Sequence, residues 1–177
     1  MYNAITRSIE AELIPACKRY GLDIVIYNPI AGGLFSGKYK TTDIPAEGRY
    51  SNAVGPMGEM YRKRYFKDST FKALQIIEPV VEKAGLTMVE TALRWCLHHS
   101  ALNIGGLDGK GNDGIIIGVS SFSQLEMNLK DCEKGPLPTE VVKALDEAWA
   151  VAKADTPNYW HLDLKYTYDT RKALFGV

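Results

Sequence analysis

Two stretches of this chain read as buried strands, Leu22-Asp23-Ile24-Val25-Ile26 and Ile115-Ile116-Ile117, and long helical patterns separate them. Short β-branched runs of this kind suit strands covered on both faces, as in a parallel sheet. The order helix, strand, loop, helices, strand, helix, helix then argues for βαβ units and an α/β fold. In such sheets ligands collect beyond the carboxyl ends of the strands. Each run is followed there by a glycine-bearing stretch: Tyr27-Asn28-Pro29-Ile30-Ala31-Gly32-Gly33-Leu34-Phe35-Ser36-Gly37-Lys38-Tyr39 after the first, and Gly118-Val119-Ser120-Ser121 after the second.

The helical patterns have readable starts and stops. Residues 7 to 20 are expected to form an amphipathic helix carrying Ile9, Leu13, Ala16 and Cys17 on one side, with Pro15 a point of kinking and Gly21 the stop. From Gly33 to about Asp68 the chain is expected to form one long loop, punctuated by Pro45, Gly48, Gly55, Pro56 and Gly58, with Arg62, Lys63 and Arg64 near its end. Ser69 and Thr70 offer capping oxygens to a helix bearing Phe71, Leu74, Ile77 and Val81, which breaks at Gly85. A helix follows Thr87, with Val89, Ala92, Leu93 and Cys96 on its stripe and Trp95 and His99 beside it. The segment Asn103 to Asp113 reads as a glycine-rich loop. Ser121 or Ser123 caps a helix through Leu125 and Leu129, and Glu133-Lys134-Gly135-Pro136 ends it. The last helix runs from about Thr139 to Ala152 with Val142, Leu145 and Trp149 inward. Beyond Asp155 the tail, with Tyr159, Trp160, Tyr166 and Tyr168, is expected on a surface or in a groove.

Charge narrows the function classes. The 177 residues carry 21 basic and 21 acidic side chains and are 46% hydrophobic, which fits one globular domain. A balanced charge gathers neither nucleic acid nor anionic lipid, so neither partner is expected. No stretch approaches the roughly 20 apolar residues of a membrane span, and the start Met1-Tyr2-Asn3-Ala4 lacks a basic-then-apolar signal pattern. Cys17, Cys96 and Cys132 fall in no metal-ligand or redox spacing, so reduced thiols, no metal and a cytoplasmic location are expected.

The first glycine stretch nearly forms a phosphate loop: Gly32, four residues, Gly37, Lys38. Tyr39 then stands where a Ser or Thr would bind magnesium, and Lys40-Thr41-Thr42-Asp43-Ile44-Pro45 cannot begin the long helix such a loop needs. A nucleoside triphosphatase is therefore set aside, and a glycine-rich loop without ligand stands as the plain alternative.

The whole string resembles something more specific. Tyr27 to Leu34 with Ser36-Gly37-Lys38-Tyr39 is similar to the seventh strand and following loop of the aldo-keto reductases. Gly48-Arg49-Tyr50 and Arg62-Lys63-Arg64-Tyr65-Phe66 resemble loop pieces of the aflatoxin aldehyde reductase branch. Ala92-Leu93-Arg94-Trp95 with His98-His99-Ser100 resembles its seventh helix, and Ile117 to Ser121 with Gln124-Leu125-Glu126-Met127-Asn128-Leu129 its eighth strand and helix. Gly135-Pro136-Leu137 and Pro157-Asn158-Tyr159 complete the series, and Tyr2-Asn3-Ala4 through Thr6-Arg7 fits the end of the sixth strand.

The resemblance implies the C-terminal part of a (β/α)8 barrel, two complete βα units plus flanking helices, spanning residues 1 to 177 as a partial reductase domain. It implies NADPH as cofactor. Tyr27 would stack on the nicotinamide. Asn28, Pro29, Ala31, Gly32, Leu34, Ser36 and Lys38 would line the pyrophosphate, where glycine allows close approach. Gly118, Ser120 and Ser121, at a helix N-terminus, would hold the adenosine 2′-phosphate, with Gln124 and Asn128 one turn apart on the adenine side. Gln124 stands where many members have a basic residue and Met127 where they have an acidic one. Arg62 and Arg64 would approach substrate or cofactor from the loop. From pattern alone, Tyr27 reads equally as a buried strand-end tyrosine, Lys38 as a solvated lysine, Ser120 and Ser121 as helix caps, and the arginines as a solvated face.

The family reduces aldehydes and ketones to alcohols with a Tyr acid assisted by Asp, Lys and His, all carried on its first five strands. By that resemblance no catalytic residue lies in this chain, and Tyr20, Tyr50 and Tyr61 do not inherit the acid's position. A barrel of this kind typically needs about 250 residues, and an isolated strand pair leaves open edges. The chain is expected to self-associate or recruit a complementing chain, and to meet a small-molecule carbonyl substrate once completed. The competing reading is a non-catalytic NADPH-binding or partner-binding module.

Overall fold

The structure is a computed structural model that describes residues 1–105, 111–158 and 169–176. Strand β1 (Val25–Ile26) pairs in parallel with β2 (Gly114–Ile115), Val25 opposite Gly114 and Ile26 opposite Ile115. The amides of Gly114 and Ile116 donate to the carbonyls of Ile24 and Ile26, both at 2.8 Å. The Asp113 carboxylate locks the entry to this pair, accepting from the Ile24 amide at 2.7 Å and the Asn103 amide at 2.6 Å. At the far end the Tyr2 amide donates to the Tyr27 carbonyl at 3.2 Å, so the first residues of the chain extend the pairing beyond β1.

The strands are covered on one face, not on both as their apolar runs led one to expect. Ile24 and Ile26 are buried, whereas Val25 is 61% exposed and Ile116 55% exposed. Side chains alternate along a strand, and in this chain the helices pack against one side of the pair. Pairing also falls on residues 114 and 115, one place ahead of the Ile115-Ile116-Ile117 run.

Local chemistry sets most helix ends. The expected helix over residues 7 to 20 is divided into a 3₁₀ turn, Ser8–Glu10, and α1, Leu13–Arg19. Pro15 falls in the first turn of α1, where its missing amide leaves no bond unmade, so it causes no kink. Gly21 adopts φ +67°, its amide donates to the Lys18 carbonyl at 3.3 Å, and the Leu22 amide reaches back to Cys17 at 2.9 Å. That is a Schellman stop, and Gly85 with Leu86 repeats it against Glu82 and Val81 after α3, Asp68–Lys83.

The expected long loop holds a helix of its own, α2, Pro56–Tyr65, preceded by a 3₁₀ turn, Asn52–Val54. Pro56 occupies a first-turn position and Arg62, Lys63 and Arg64 the last turn, where positive charge suits the helix dipole. Ser69 and Thr70 do not cap α3; they lie inside it, and Lys67 is the cap residue. Helix α4, Met88–His98, begins as expected with the Thr87 hydroxyl accepting from the Glu90 amide at 3.1 Å. Helices α5, Phe122–Cys132, and α6, Thr139–Ala152, follow β2. The buried stripe of α6 is Val141, Ala144, Leu145, Ala148 and Ala152, while Val142 and Trp149 are half-buried. It is turned about one residue from the expected stripe because α6 packs against α3. A short α7, Thr170–Phe175, capped by Asp169, lies in the tail that the sequence pattern left without a helix. Tyr159, Trp160, Tyr166 and Tyr168 lie outside the described residues.

Two buried arginines tie the helices together. The Arg7 guanidinium sits 4.5 Å over the Trp95 ring and donates to the carbonyls of Ala4 (2.8 Å) and Leu145 (3.0 Å) and to Asp146 (2.7 Å). It thereby fixes the N-terminal segment to α4 and α6. Arg94 pairs with Glu90 at 2.6 Å and donates to the carbonyls of Gly135 and Pro136, both at 2.7 Å, holding the α5–α6 connector on α4. The Leu137 amide completes that attachment by donating to Nε2 of His99 at 2.8 Å.

This last bond requires an unprotonated Nε2. Burial first, then the positive charge of His98 and Arg94, lowers the His99 pKa below its usual 6.5, against a smaller opposing pull from Asp146. The unfolded chain therefore binds the proton more readily than the folded one. The contribution of His99 is fully present above about pH 6.5 and declines as the pH falls through 6.5 toward the lowered folded value. Thermal melts from pH 8 to pH 5 are expected to show a smaller loss of Tm in His99→Gln than in the wild type.

Candidate functional site

The parallel pairing puts the carboxyl ends of β1 and β2 at one end of the sheet, and with them both glycine-bearing stretches. The first leaves β1 through a turn of unusual backbone. Asn28 has φ +60°, Ala31 φ +50°, Gly32 φ +65° and Gly33 φ +102°, and Gly37 closes the 3₁₀ segment Ala31–Ser36 at φ +73°. A non-glycine residue in this region costs roughly 1–2 kcal/mol, so a turn with two of them persists where its surroundings hold it.

Three tyrosines hold it. The Tyr50 hydroxyl donates to the Ala31 carbonyl at 2.7 Å. The Asn28 carboxamide lies between two more: its Nδ2 faces the Tyr65 hydroxyl at 3.4 Å and its Oδ1 accepts from Tyr61 at 3.5 Å. The Asn3 side chain donates to the Asn28 carbonyl at 3.0 Å. A Cβ built on Gly32 would lie 2.8 Å from Cε1 of Tyr61 and 2.9 Å from the Tyr50 oxygen. Burial pushes the phenols of Tyr50 and Tyr65 well above the ordinary tyrosine range, so both stay protonated as donors.

Within the turn, Pro29, Ala31 and Leu34 are buried and anchor it, while Ser36 and Lys38 are exposed at its outer edge. The Ser36 hydroxyl accepts from the Lys38 amide at 3.4 Å. Tyr27, at 38% exposed, shares with Val25 and Ile116 the open side of the strand pair. It is not the fully buried strand-end tyrosine that the pattern also allowed.

At the end of β2, Gly118, Ser120 and Ser121 are exposed and lead into α5. Ser121 is the cap: its Oγ accepts from the Gln124 amide at 3.3 Å, and Oε1 of Gln124 accepts from the Ser120 amide at 3.0 Å and the Ser120 hydroxyl at 3.1 Å. Capping role and exposure at a helix N-terminus thus coexist here. Gln124 is exposed but Asn128 is 7% exposed, so the two do not present a common open face.

The arginines do not reach out from a flexible loop. Arg62, on α2, donates to the Tyr50 carbonyl at 2.6 Å and to Asn52 at 3.0 Å, bracing the segment that carries Tyr50. Arg64 is buried, with its guanidinium 5.3 Å from the Tyr61 ring centroid, Nη2 donating to Sδ of Met60 at 3.4 Å, and Nε without a hydrogen-bond partner among the described residues. Sequence reasoning passed over Tyr50, Tyr61, Tyr65 and Asn3 as parts of this site. Tyr50 and Tyr65 fall within the family-like loop pieces, but nothing local tells which phenol will face which carbonyl.

Burial pushes the Cys96 thiol up to about 12 and raises that of Cys132. Among the described residues no group of His, Cys, Asp or Glu is assembled to hold a metal ion, and no helix is long and apolar enough to cross a membrane. For a nucleotide with phosphates the donor set fits at two places, the Ser36–Lys38 edge of the turn and the serine-capped start of α5.

Comparison with known proteins gives a consistent picture. The profile of the Aldo/keto reductase family matches residues 1–150. The chain is similar to an aldo-keto reductase of Pseudocercospora fijiensis, 42% identical over 163 residues, covering 90% of this chain and 52% of that protein. It is 41% identical over 165 residues to aflatoxin B1 aldehyde reductase member 2 of Mus musculus, covering 90% of this chain and 44% of the relative. The chain thus spans about half the length of the curated relatives it matches. Among solved structures, the glycerol dehydrogenase of Gluconobacter oxydans shares the fold with a TM-score of 0.54 at 23% identity, over 95% of this chain and 44% of that one.

The turn's construction makes a stability test direct. Gly32→Ala places a methyl against the Tyr50 oxygen and the Tyr61 ring at φ +65°. A loss of roughly 1–3 kcal/mol is expected in urea denaturation; Gly33→Ala, where a Cβ meets nothing within 4 Å but φ is +102°, isolates the backbone cost from the steric one.

Proposed function

The chain belongs to the aldo/keto reductase family, and from that premise we propose that it is the cofactor-holding portion of an NADPH-dependent reductase that converts aldehydes or ketones to alcohols. The observation that carries this reading is the placement of the left-handed turn 28–33 and the serine-capped start of α5 at the same end of one parallel strand pair. Ligands of parallel α/β sheets bind at that end.

Each residue has a definite task in this reading. Tyr27 offers a flat, half-open ring on which a nicotinamide stacks. Ser36 and Lys38 meet the pyrophosphate, with Asn28, Pro29, Ala31, Gly32 and Leu34 shaping the backbone beneath it. Gly118, Ser120, Ser121 and Gln124 meet the 2′-phosphate through amides and hydroxyls at the N-terminal end of α5. NADPH, when bound, supplies hydride; these residues bind and orient it and leave proton donation to other groups.

Proton donation belongs to a further polypeptide segment. Tyr50 and Tyr65 give their hydroxyls to buried internal bonds, and Tyr20 is exposed beside the C-terminal end of α1. Val25, Tyr27 and Ile116 form an open apolar face on the strand pair, which suits coverage by further βα units of a barrel to which this chain contributes two. We read that coverage as coming from a complementing chain or a second copy, in the cytoplasm, where the free thiols of Cys17, Cys96 and Cys132 persist.

The test is an NADPH fluorescence titration of the purified chain. Saturable binding is expected, weakened roughly tenfold or more in Lys38→Met through loss of a charge-assisted phosphate contact. Aldehyde turnover is expected only after addition of the other half of a relative's barrel. A folded chain with no affinity for NADPH would end this reading.

A further inference from the structure

Within the proposed cofactor site, the geometry points to Tyr50 as a positioning residue: its hydroxyl holds Ala31 in the left-handed conformation and thereby sets the turn that receives the nucleotide's phosphates, without touching the ligand. This rests on the proposed cofactor role and adds to it a residue that acts through the protein backbone.

Four observations carry it. Ala31 has φ +50°, a conformation unfavourable for alanine by roughly 1–2 kcal/mol. The Tyr50 hydroxyl donates to the carbonyl of that same residue at 2.7 Å, inside the protein, where Tyr50 is wholly buried. The ring is packed by stacking on Phe66 at 4.5 Å and by an edge contact to Tyr39 at 5.0 Å, which keeps the hydroxyl against the Ala31 carbonyl. Arg62 holds the backbone of Tyr50 in turn through its carbonyl at 2.6 Å. Apart from these, the second left-handed residue, Asn28, is held through its side chain, whose Oδ1 accepts from the Tyr61 hydroxyl at 3.5 Å.

The consequence is quantitative. A net hydrogen bond is worth about 1 kcal/mol, comparable with the cost of left-handed alanine. Its removal lets the turn relax into other conformations, and apparent affinity falls by the fraction of chains still in the competent one. The effect on binding then depends on what stands at position 31. Glycine adopts φ +50° without penalty and has no need of the hydroxyl.

The experiment is a double-mutant cycle read by NADPH titration. Tyr50→Phe is expected to bind roughly fivefold to tenfold more weakly than wild type, and Ala31→Gly added to it to restore affinity to within about threefold. Ser51→Ala removes a hydroxyl bond of 2.8 Å to Gly48 in the same loop; it is expected to lower Tm while leaving affinity unchanged, which separates positioning from general loosening. Wild-type affinity in Tyr50→Phe, no restoration by Ala31→Gly, or equal weakening in Ser51→Ala would overturn the proposal. If Tyr50→Phe does not fold, Tyr61→Phe decides, with weakening of about threefold expected and none overturning the idea. If the folded wild type binds no NADPH, the cofactor reading falls. The hold is then judged in the free chain by exchange of the Gly33 amide, which donates to Ile30 at 3.0 Å. Acceleration of roughly tenfold in Tyr50→Phe but not in Ser51→Ala upholds the hold, and equal rates overturn it.

Discussion

Parallel pairing of β1 with β2 is the constraint on which the rest depends. Two strands far apart in sequence run the same way, so both leave the sheet at the same end, and the segments after them are delivered to one place. The pair is short, and its main-chain bonds from Gly114 and Ile116 are few. Asp113 supplies what the ladder lacks by bonding one amide before β1 and another in the preceding loop. A charge-assisted acceptor fixes the register; a slip of one residue would turn Ile24 and Ile26 outward and scatter both glycine-bearing ends.

The helices then act as a one-sided scaffold. Arg7 and Arg94 are buried cations whose donors go largely to backbone carbonyls of other elements. Such bonds have defined direction, and a buried guanidinium without them would be costly. They join the N-terminal segment, α4, the α5–α6 connector and α6 into one body. The open side carries Val25, Tyr27 and Ile116, apolar side chains that water covers poorly, in a chain about half as long as its relatives. Exposed apolar faces next to strand edges commonly mark association surfaces. The helical scaffold and the open apolar face are therefore on opposite sides of the same two strands.

Features determined by a few neighbouring residues were legible in the sequence. Gly21 and Gly85 stop helices because a left-handed stop needs glycine, Thr87 and Ser121 start them because a hydroxyl meets an orphan amide, and α6 begins and ends where its pattern does. Features set by distant partners were not. The run Leu22 to Ile26 is equally apolar whether one face is covered or two. Gly55-Pro56 reads as loop punctuation until Pro56 is seen to open a helix. The inward stripe of α6 is settled by α3, which the pattern of α6 does not contain. The candidate site was found through its glycines and serines, but the residues that hold it in shape were not, since Tyr50 and Ala31 meet through tertiary structure alone.

That division has a physical reason. A left-handed alanine is unfavourable on its own, so nothing in residues 27 to 38 dictates φ +50° at position 31. The conformation exists because a buried phenol meets a carbonyl that it can satisfy, and each is costly to leave alone in a dry interior. The phenol is held there by stacked rings and the Arg62 brace, which belong to a segment that reads as loop. Glycine at position 31 would adopt the same φ without that strain and without needing the hydroxyl, whereas alanine holds it only while the Tyr50 bond is made. The backbone shape at Ala31 is therefore a property of the Tyr50 contact and not of residues 27 to 38 alone.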